Sequence, residues 1–276
     1  MNKPLAIVAG EPNSISSEII FKSWIQRKKY KHNPLFIIGS FDLLNKQKKK
    51  LKFKIKMKKI NHEFKINDLK GNEMPIYNIN YDQKKPFENI SSKSNNYIFD
   101  CLKAAVKLAK TNKIIGIINC PVSKEHLFKD KYQGITEFLS KKFKKEGNEV
   151  MLIYNKKLAV CPITTHLPLK QVSNQISKIK IINKVKTINN FYIKFFNKKP
   201  NFCILGLNPH NFTPLKKSEE KQIISKAVKN LRKLKIKALG PIAPDSSFMT
   251  TKKNNFDVII GMYHDQVLGP FKALYN

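Results

Sequence analysis

The 276-residue chain has only two arginines, Arg27 and Arg232, so 51 of its 53 basic residues are lysines. Proteins that read DNA sequence lean on arginine, whose planar fork pairs with guanine edges and phosphates. The scarcity argues against a nucleic-acid partner, even though 53 basic against 19 acidic residues give a formal charge of +34. The lysines are dispersed, with local runs only at Lys48 to Lys50 and around Lys141 to Lys145. Cysteine is sparse as well. Cys101, Cys120, Cys161 and Cys203 lie far apart with no CxxC, which argues against a disulfide framework or a cysteine zinc site and fits a reducing cytoplasm. No apolar run approaches the roughly 20 residues of a membrane span. The longest are LAIVAG, FIIG, IIGII and VIIGMY, and the N-terminal MNKPLAIVAGEP is too brief for a secretory signal. Neither GxGxxG, GxxxxGKS/T nor HExxH occurs, so a Rossmann dinucleotide fingerprint, a P-loop and a compact metalloprotease motif are all missing.

What is present describes a folded chain. Hydrophobic residues make up 41% and aromatics 10%, enough to build a core in one or two domains. Short apolar segments alternate with helical ones, the pattern of an α/β fold with a largely parallel sheet. Strands are expected at residues 5–9, 35–38, 53–60, 75–79 and 114–118. Helices are expected at 17–26 and 96–110, the latter placing Ile98, Leu102, Ala105 and Val106 near one face. Beyond residue 130 the spacing predicts a hairpin of strands 150–154 and 158–163, helical sequence over 169–197, a strand at 202–207, a helix at 219–234 and a strand at 256–262. A domain boundary is placed near residue 130, dividing the chain into 1–130 and 131–276.

Three of the six histidines share one context. His166 follows CPITT, His210 follows FCILGLNP and His264 follows DVIIGMY, each just past an apolar strand. In open α/β sheets the carboxyl ends of strands face the ligand crevice, so three loops can deliver three imidazoles to one place. Three neutral nitrogen donors with an open position suit a catalytic divalent ion; a hydrogen-bonded polar residue at a strand end is the plainer alternative for each. His32, His62 and His126 sit in polar surroundings and read as surface. Asp245, in GPIAPDSSF, and Asp265, beside His264, can orient a ligand or handle a proton, or else cap a helix. Lys124 and Lys272 are point charges suited to a phosphate, and Thr136 and Glu137 open a helix whose N-terminus suits an anion.

The motifs GEP, CPVSK, GITEFL, TTHLPL, GLNPH, GPIAPDSSF and MYHDQVLGPFK stand in an order that resembles the 4-hydroxythreonine-4-phosphate dehydrogenase family (PdxA) of vitamin B6 biosynthesis, from residue 5 to the last. The resemblance implies a two-domain α/β/α fold like that of isocitrate and isopropylmalate dehydrogenases, which bind NAD without the glycine fingerprint. It implies NAD- or NADP-dependent oxidation of 4-phosphooxy-L-threonine at C3, then decarboxylation to 3-amino-2-oxopropyl phosphate. His166, His210 and His264 match the family's ligands to a divalent metal (zinc, magnesium, manganese or cobalt), held at a homodimer interface. Thr136 and Lys272 match positions that contact the phosphorylated substrate.

The sequence departs from the family pattern in four places. Ile135 replaces the histidine of the usual GHTEF; GEPNSISSE stands for GDPAGIGPE; NFTP follows NPH where AGE is usual; and the sequence ends 12 residues after His264. Family members continue for several dozen residues, adding an asparagine and an arginine that bind substrate and the elements that complete the first domain. The expectation is therefore reduced stability or activity for a chain ending at residue 276. Two other readings stay open: a paralogous dehydrogenase of another four-carbon sugar-acid phosphate, and a catalytically inactive dimeric relative.

Overall fold

The computed structural model describes residues 3–29, 33–128, 132, 134–211, 218–249 and 255–275. The chain divides into two compact units, Met1–Lys144 and Lys145–Asn276. The division falls beyond residue 130 because residues 135–142 form a helix whose Phe138 is buried in the core of the first unit.

In the first unit, β1 (Leu5–Val8), β2 (Leu35–Gly39), β3 (Met57–Ile60), β4 (Met74–Asn78) and β5 (Gly116–Asn119) form a parallel sheet in the order β3-β4-β2-β1-β5. Its helices are α1 (Ser16–Gln26), α2 (Phe41–Lys50), α3 (Asn95–Lys110), α4 (Lys124–Phe128) and α5 (Ile135–Lys142). Successive strand residues face opposite sides of a sheet. Thus Phe36 and Ile38 pack with Ile98, Leu102 and Ala105 of α3, while Ile37 packs with Ile20, Phe21 and Trp24 of α1. Helix α2 has only a short apolar start to announce it, since the second half of its sequence, FDLLNKQKKK, is polar. It forms because Ser40 accepts a hydrogen bond from Leu43 N, Asp42 lies in the first turn and Lys48 to Lys50 lie in the last. Capping and charge placed along the helix dipole compensate for the thin hydrophobic face.

The second unit holds β6 (Ile153–Tyr154), β7 (Ala159–Thr164), β8 (Phe202–Leu205), β9 (Ala238–Ile242) and β10 (Val258–Tyr263), in the order β6-β7-β10-β8-β9. Among the described residues only β6 is antiparallel; it pairs with β7 as the expected hairpin. The helices are α6 (Val172–Gln175), α7 (Lys178–Phe196), α8 (Ser225–Lys233), α9 (Pro244–Ser247) and α10 (His264–Tyr275). Strand β9 escapes the sequence pattern because Gly240 and Pro241 read as a turn, and α10 because Gly269 and Pro270 interrupt its sequence. The last strand, β10, inserts between β7 and β8 and is buried along Val258–Met262. On one face Ile260 and Met262 pack with Ile181, Val185 and Val228; on the other Ile259 packs with Val267, Leu268 and Phe271 of α10. Gly261 lets α10 approach, since a Cβ there would lie 2.5 Å from Val267 Cγ1. Among the described residues no helix is long and apolar enough to cross a membrane.

All four cysteines are buried and unpaired. Burial penalises the thiolate and pushes Cys101, Cys161 and Cys203 up to about 12 and Cys120 up to about 11. The native protein is therefore expected to leave all four thiols unlabelled by an aromatic disulfide reagent at neutral pH, and to release four equivalents in concentrated guanidinium. Rapid labelling of any thiol in the native state would contradict this packing.

Candidate active site

The second sheet determines which loops meet. Strands β7, β10 and β8 are adjacent and parallel, so their carboxyl ends emerge side by side. His166 lies in the loop after β7, His264 directly follows β10 as the first residue of α10, and His210 lies in the loop after β8. The rings of His166 and His264 are 6.3 Å apart, centroid to centroid. With metal–nitrogen bonds of about 2 Å, rings at this spacing can reach a common ion.

Two of the three imidazoles are oriented by carboxylates. His264 Nδ1 lies 2.7 Å from Asp265 Oδ1, and His210 Nδ1 lies 3.0 Å from Asp245 Oδ2. An ionised carboxylate only accepts, so it holds the proton at Nδ1, and in the neutral ring the lone pair is then at Nε2. Asp245 has a second duty in α9, where its Oδ1 accepts a hydrogen bond from Ser246 N. His166 and His210 both adopt left-handed backbone, with φ of 55° and 53°. Non-glycine residues take that region at a cost of order 1 to 3 kcal/mol, a strain that recurs at functional loops.

The donor set suits a divalent cation in its chemistry: three imidazoles open to solvent, two with Nδ1 tied back. Among the described residues, however, no group of three His, Cys, Asp or Glu side chains stands close enough to hold an ion. His166 and His264 are brought together, while His210 is engaged with Asp245. Lys272 is exposed in the last turn of α10, eight residues from His264 and so about 12 Å along the helix at 1.5 Å per residue.

Thr136 belongs to the first unit, exposed in the first turn of α5. Lys124 reaches the start of the same helix: a side chain at Gly134 would come within 3.8 Å of Lys124 Nζ and 3.3 Å of Glu137 Oε2. Ile135, in the position where the motif has a histidine, packs against the apolar core of that unit. The GEP turn is held locally by Glu11, whose carboxylate accepts hydrogen bonds from Asn13 N and the Ser94 hydroxyl. His126 Nδ1 bonds the Ser123 hydroxyl at 2.8 Å and His62 is exposed, whereas His32 and Phe212 to Pro214 of NFTP lie outside the described residues.

Sequence reasoning missed the polar residues beneath the histidines. Thr164 donates to Met262 O at 2.8 Å, tying β7 to β10. Gln266 accepts from Met262 N at 2.7 Å and donates to Gly206 O at 2.8 Å. Glu220, on a π-helical turn (Glu220–Ile224) preceding α8, accepts from Leu207 N and Asn208 N, each at 2.9 Å, and from the Asn208 amide. Glu219 accepts from the Asn208 amide and from the Ser173 hydroxyl. The one available signal was the polar triplet His264-Asp265-Gln266 following a buried strand.

Burial pushes the Glu220 carboxyl up, but the N–H donors of Asn208 and Leu207 outweigh it and hold the group below its ordinary value. The Ser173 hydroxyl does the same for Glu219, against a smaller opposing effect of burial.

Comparison with known proteins gives this arrangement a context. The family described as "Pyridoxal phosphate biosynthetic protein PdxA" matches residues 31–276. The 4-hydroxythreonine-4-phosphate dehydrogenase of Sulfurihydrogenibium sp. is 38% identical over 275 residues, covering 98% of this chain and 83% of the relative. The D-threonate 4-phosphate dehydrogenase of Salmonella typhimurium is 26% identical, covering 99% of this chain and 84% of that protein. Among solved structures, a 4-hydroxythreonine-4-phosphate dehydrogenase from Burkholderia phymatum superposes with a TM-score of 0.86 at 24% identity, covering all of this chain and 84% of the other. That likeness shows the α/β fold with its parallel sheets.

Both glutamates titrate lower in the folded than in the unfolded chain. They stabilise the fold above the ordinary glutamate value of about 4.3, and that contribution is lost as pH falls through the lower folded value. Glu220→Gln is expected to lose about 1 to 3 kcal/mol at neutral pH, because it leaves backbone donors without an ionised acceptor. In urea unfolding the gap from the parent should narrow as pH falls below the ordinary glutamate value and through the lower folded one. A gap independent of pH would contradict an ionised Glu220.

Proposed function

Because the chain belongs to the PdxA family of pyridoxal phosphate biosynthetic proteins, we propose that it oxidises 4-phosphooxy-L-threonine at C3 with NAD or NADP and releases 3-amino-2-oxopropyl phosphate after decarboxylation. The C3 hydrogen leaves as hydride to the nicotinamide and the hydroxyl loses a proton. The resulting β-keto acid gives up carbon dioxide, and the carbanion so formed is reprotonated. A divalent cation (zinc, magnesium, manganese or cobalt), when bound, supplies Lewis acidity to the substrate oxygen. The reading is carried by one observation: three histidines stand at the tips of three adjacent parallel strands, two with carboxylates on Nδ1.

In this reading the residues have distinct tasks. His166, His210 and His264 hold the cation through free ring nitrogens. Asp265 and Asp245 keep the Nδ1 protons of His264 and His210 in place, which fixes ring orientation. Thr136, at the start of α5, and Lys272 contact the phosphorylated substrate, the lysine as a point charge. The reading includes a homodimer whose second copy completes the site, as the family resemblance implies. The reading includes a cytoplasmic location, which four buried, unpaired cysteines suit.

A second reading, with a phosphorylated threonate as substrate, is favoured by Ile135, which withdraws a polar donor, and by the D-threonate 4-phosphate relative. One assay separates the two. NADH or NADPH formation is followed with 4-phosphooxy-L-threonine and with D-threonate 4-phosphate, with and without chelator. It is repeated in His166→Asn, a replacement that tolerates the left-handed backbone. The first acid is expected to turn over, and chelator or the substitution to reduce the rate more than about 100-fold, beyond the usual cost of an outer-shell change. Turnover of threonate phosphate alone would move the assignment to the second reading. Turnover indifferent to chelator and to His166→Asn would remove the histidines from the chemistry.

A further inference from the structure

We propose that Gln266 is a positioning residue, whose carboxamide sets the separation between the strand tip bearing His264 and the loop bearing His210. The inference rests on the metal-site reading above. The paired register of β10 with β8 ends at Ile260 opposite Ile204, whereas on its other side β10 remains paired with β7 as far as Tyr263 opposite Thr164. On the β8 side, then, the strands part before their ends. Continued pairing would bring Met262 opposite Gly206, and these are the two residues that Gln266 spans.

Its Oε1 accepts from Met262 N at 2.7 Å and its Nε2 donates to Gly206 O at 2.8 Å. The residue is only 9% exposed, so water is a poor substitute for either bond. A carboxamide carries one acceptor and one donor group at fixed spacing, and it replaces a direct backbone contact with a rigid wider one.

Two further bonds complete the frame. Thr164 Oγ1 donates to Met262 O, so Met262 is gripped through its N–H by Gln266 and through its carbonyl by Thr164. Glu220 holds Leu207 and Asn208, directly after Gly206. Strand β10 thus has its last turn of backbone anchored to both neighbours by side chains, one residue before Tyr263 and two before His264. Gln266, Thr164 and Glu220 are all buried, so the frame acts through the histidines.

The test uses the full-length protein and cobalt(II), whose visible absorption reports both affinity and ligand geometry. Gln266→Met keeps the length and removes both hydrogen bonds; Thr164→Val keeps the shape and removes one. Ile188→Val, in the core of the same unit, controls for general loss of packing. Each clamp variant is expected to weaken cobalt binding about 10- to 100-fold and to alter its spectrum, the usual scale for outer-shell support. Near-UV circular dichroism should remain that of the parent, and Ile188→Val should bind as the parent does.

Parent-like affinity and spectrum in Gln266→Met would overturn the proposal, and so would equal weakening in Ile188→Val. If Gln266→Met does not fold, Thr164→Val decides between the same outcomes. A parent that binds no cobalt, or His166→Asn binding as tightly as the parent, would instead defeat the metal reading and this inference with it.

Discussion

The register of three parallel strands controls everything else in the second unit. Buried backbone N–H and C=O groups must be paired, and β10 pairs with β7 on one side and β8 on the other along buried segments. Neighbouring strands lie about 4.8 Å apart, so three consecutive tips span about 10 Å. That is the distance over which two imidazoles can lean toward a third. Each of these strands is buried on both faces, so shifting one by a single residue would exchange the side chains it presents to its two packed layers and carry its histidine loop to the wrong level. The hydrophobic pattern that fills the core and the placement of the candidate ligands are therefore one constraint.

Much of this was legible beforehand. Strands β7, β8 and β10 are short apolar runs with turn residues behind them, and the histidines after them are visible in one dimension. The family followed from motifs standing in order. Strand β9 was not legible, because Gly240 and Pro241 resemble a turn and the segment becomes a strand only through its pairing with β8. Helix α2 was hidden by its lysines, its stability lying in caps and dipole rather than in periodicity. Gln266 was beyond reach for a different reason: its task exists only where β8 and β10 separate, and no local pattern encodes the place at which two distant strands part. The pairing of His210 with Asp245 is likewise a tertiary event across 35 residues.

The excess of lysine has a modest structural role. Ion pairs such as Glu18 with Lys22 and Asp100 with Lys103 are exposed and contribute little each. Among the described residues Lys184 is the buried lysine: it lies on α7, donates to Glu149 O at 2.9 Å, and burial lowers its pKa. The remaining positive field is long-ranged at low salt and would draw phosphorylated acids toward the protein, with a reach of about 8 Å at physiological ionic strength.

The contact at Gly261 limits how this sequence can drift. Any side chain there meets a methyl of Val267 2.5 Å away, on the helix that begins with a candidate ligand. Trimming Val267 first opens a void in the core, and enlarging Gly261 first pushes α10 off its strand. Each single step is penalised although the double exchange conserves volume. The two positions are therefore expected to change together or remain fixed, so that lineages with a larger residue in this strand should carry a smaller one on the facing helix.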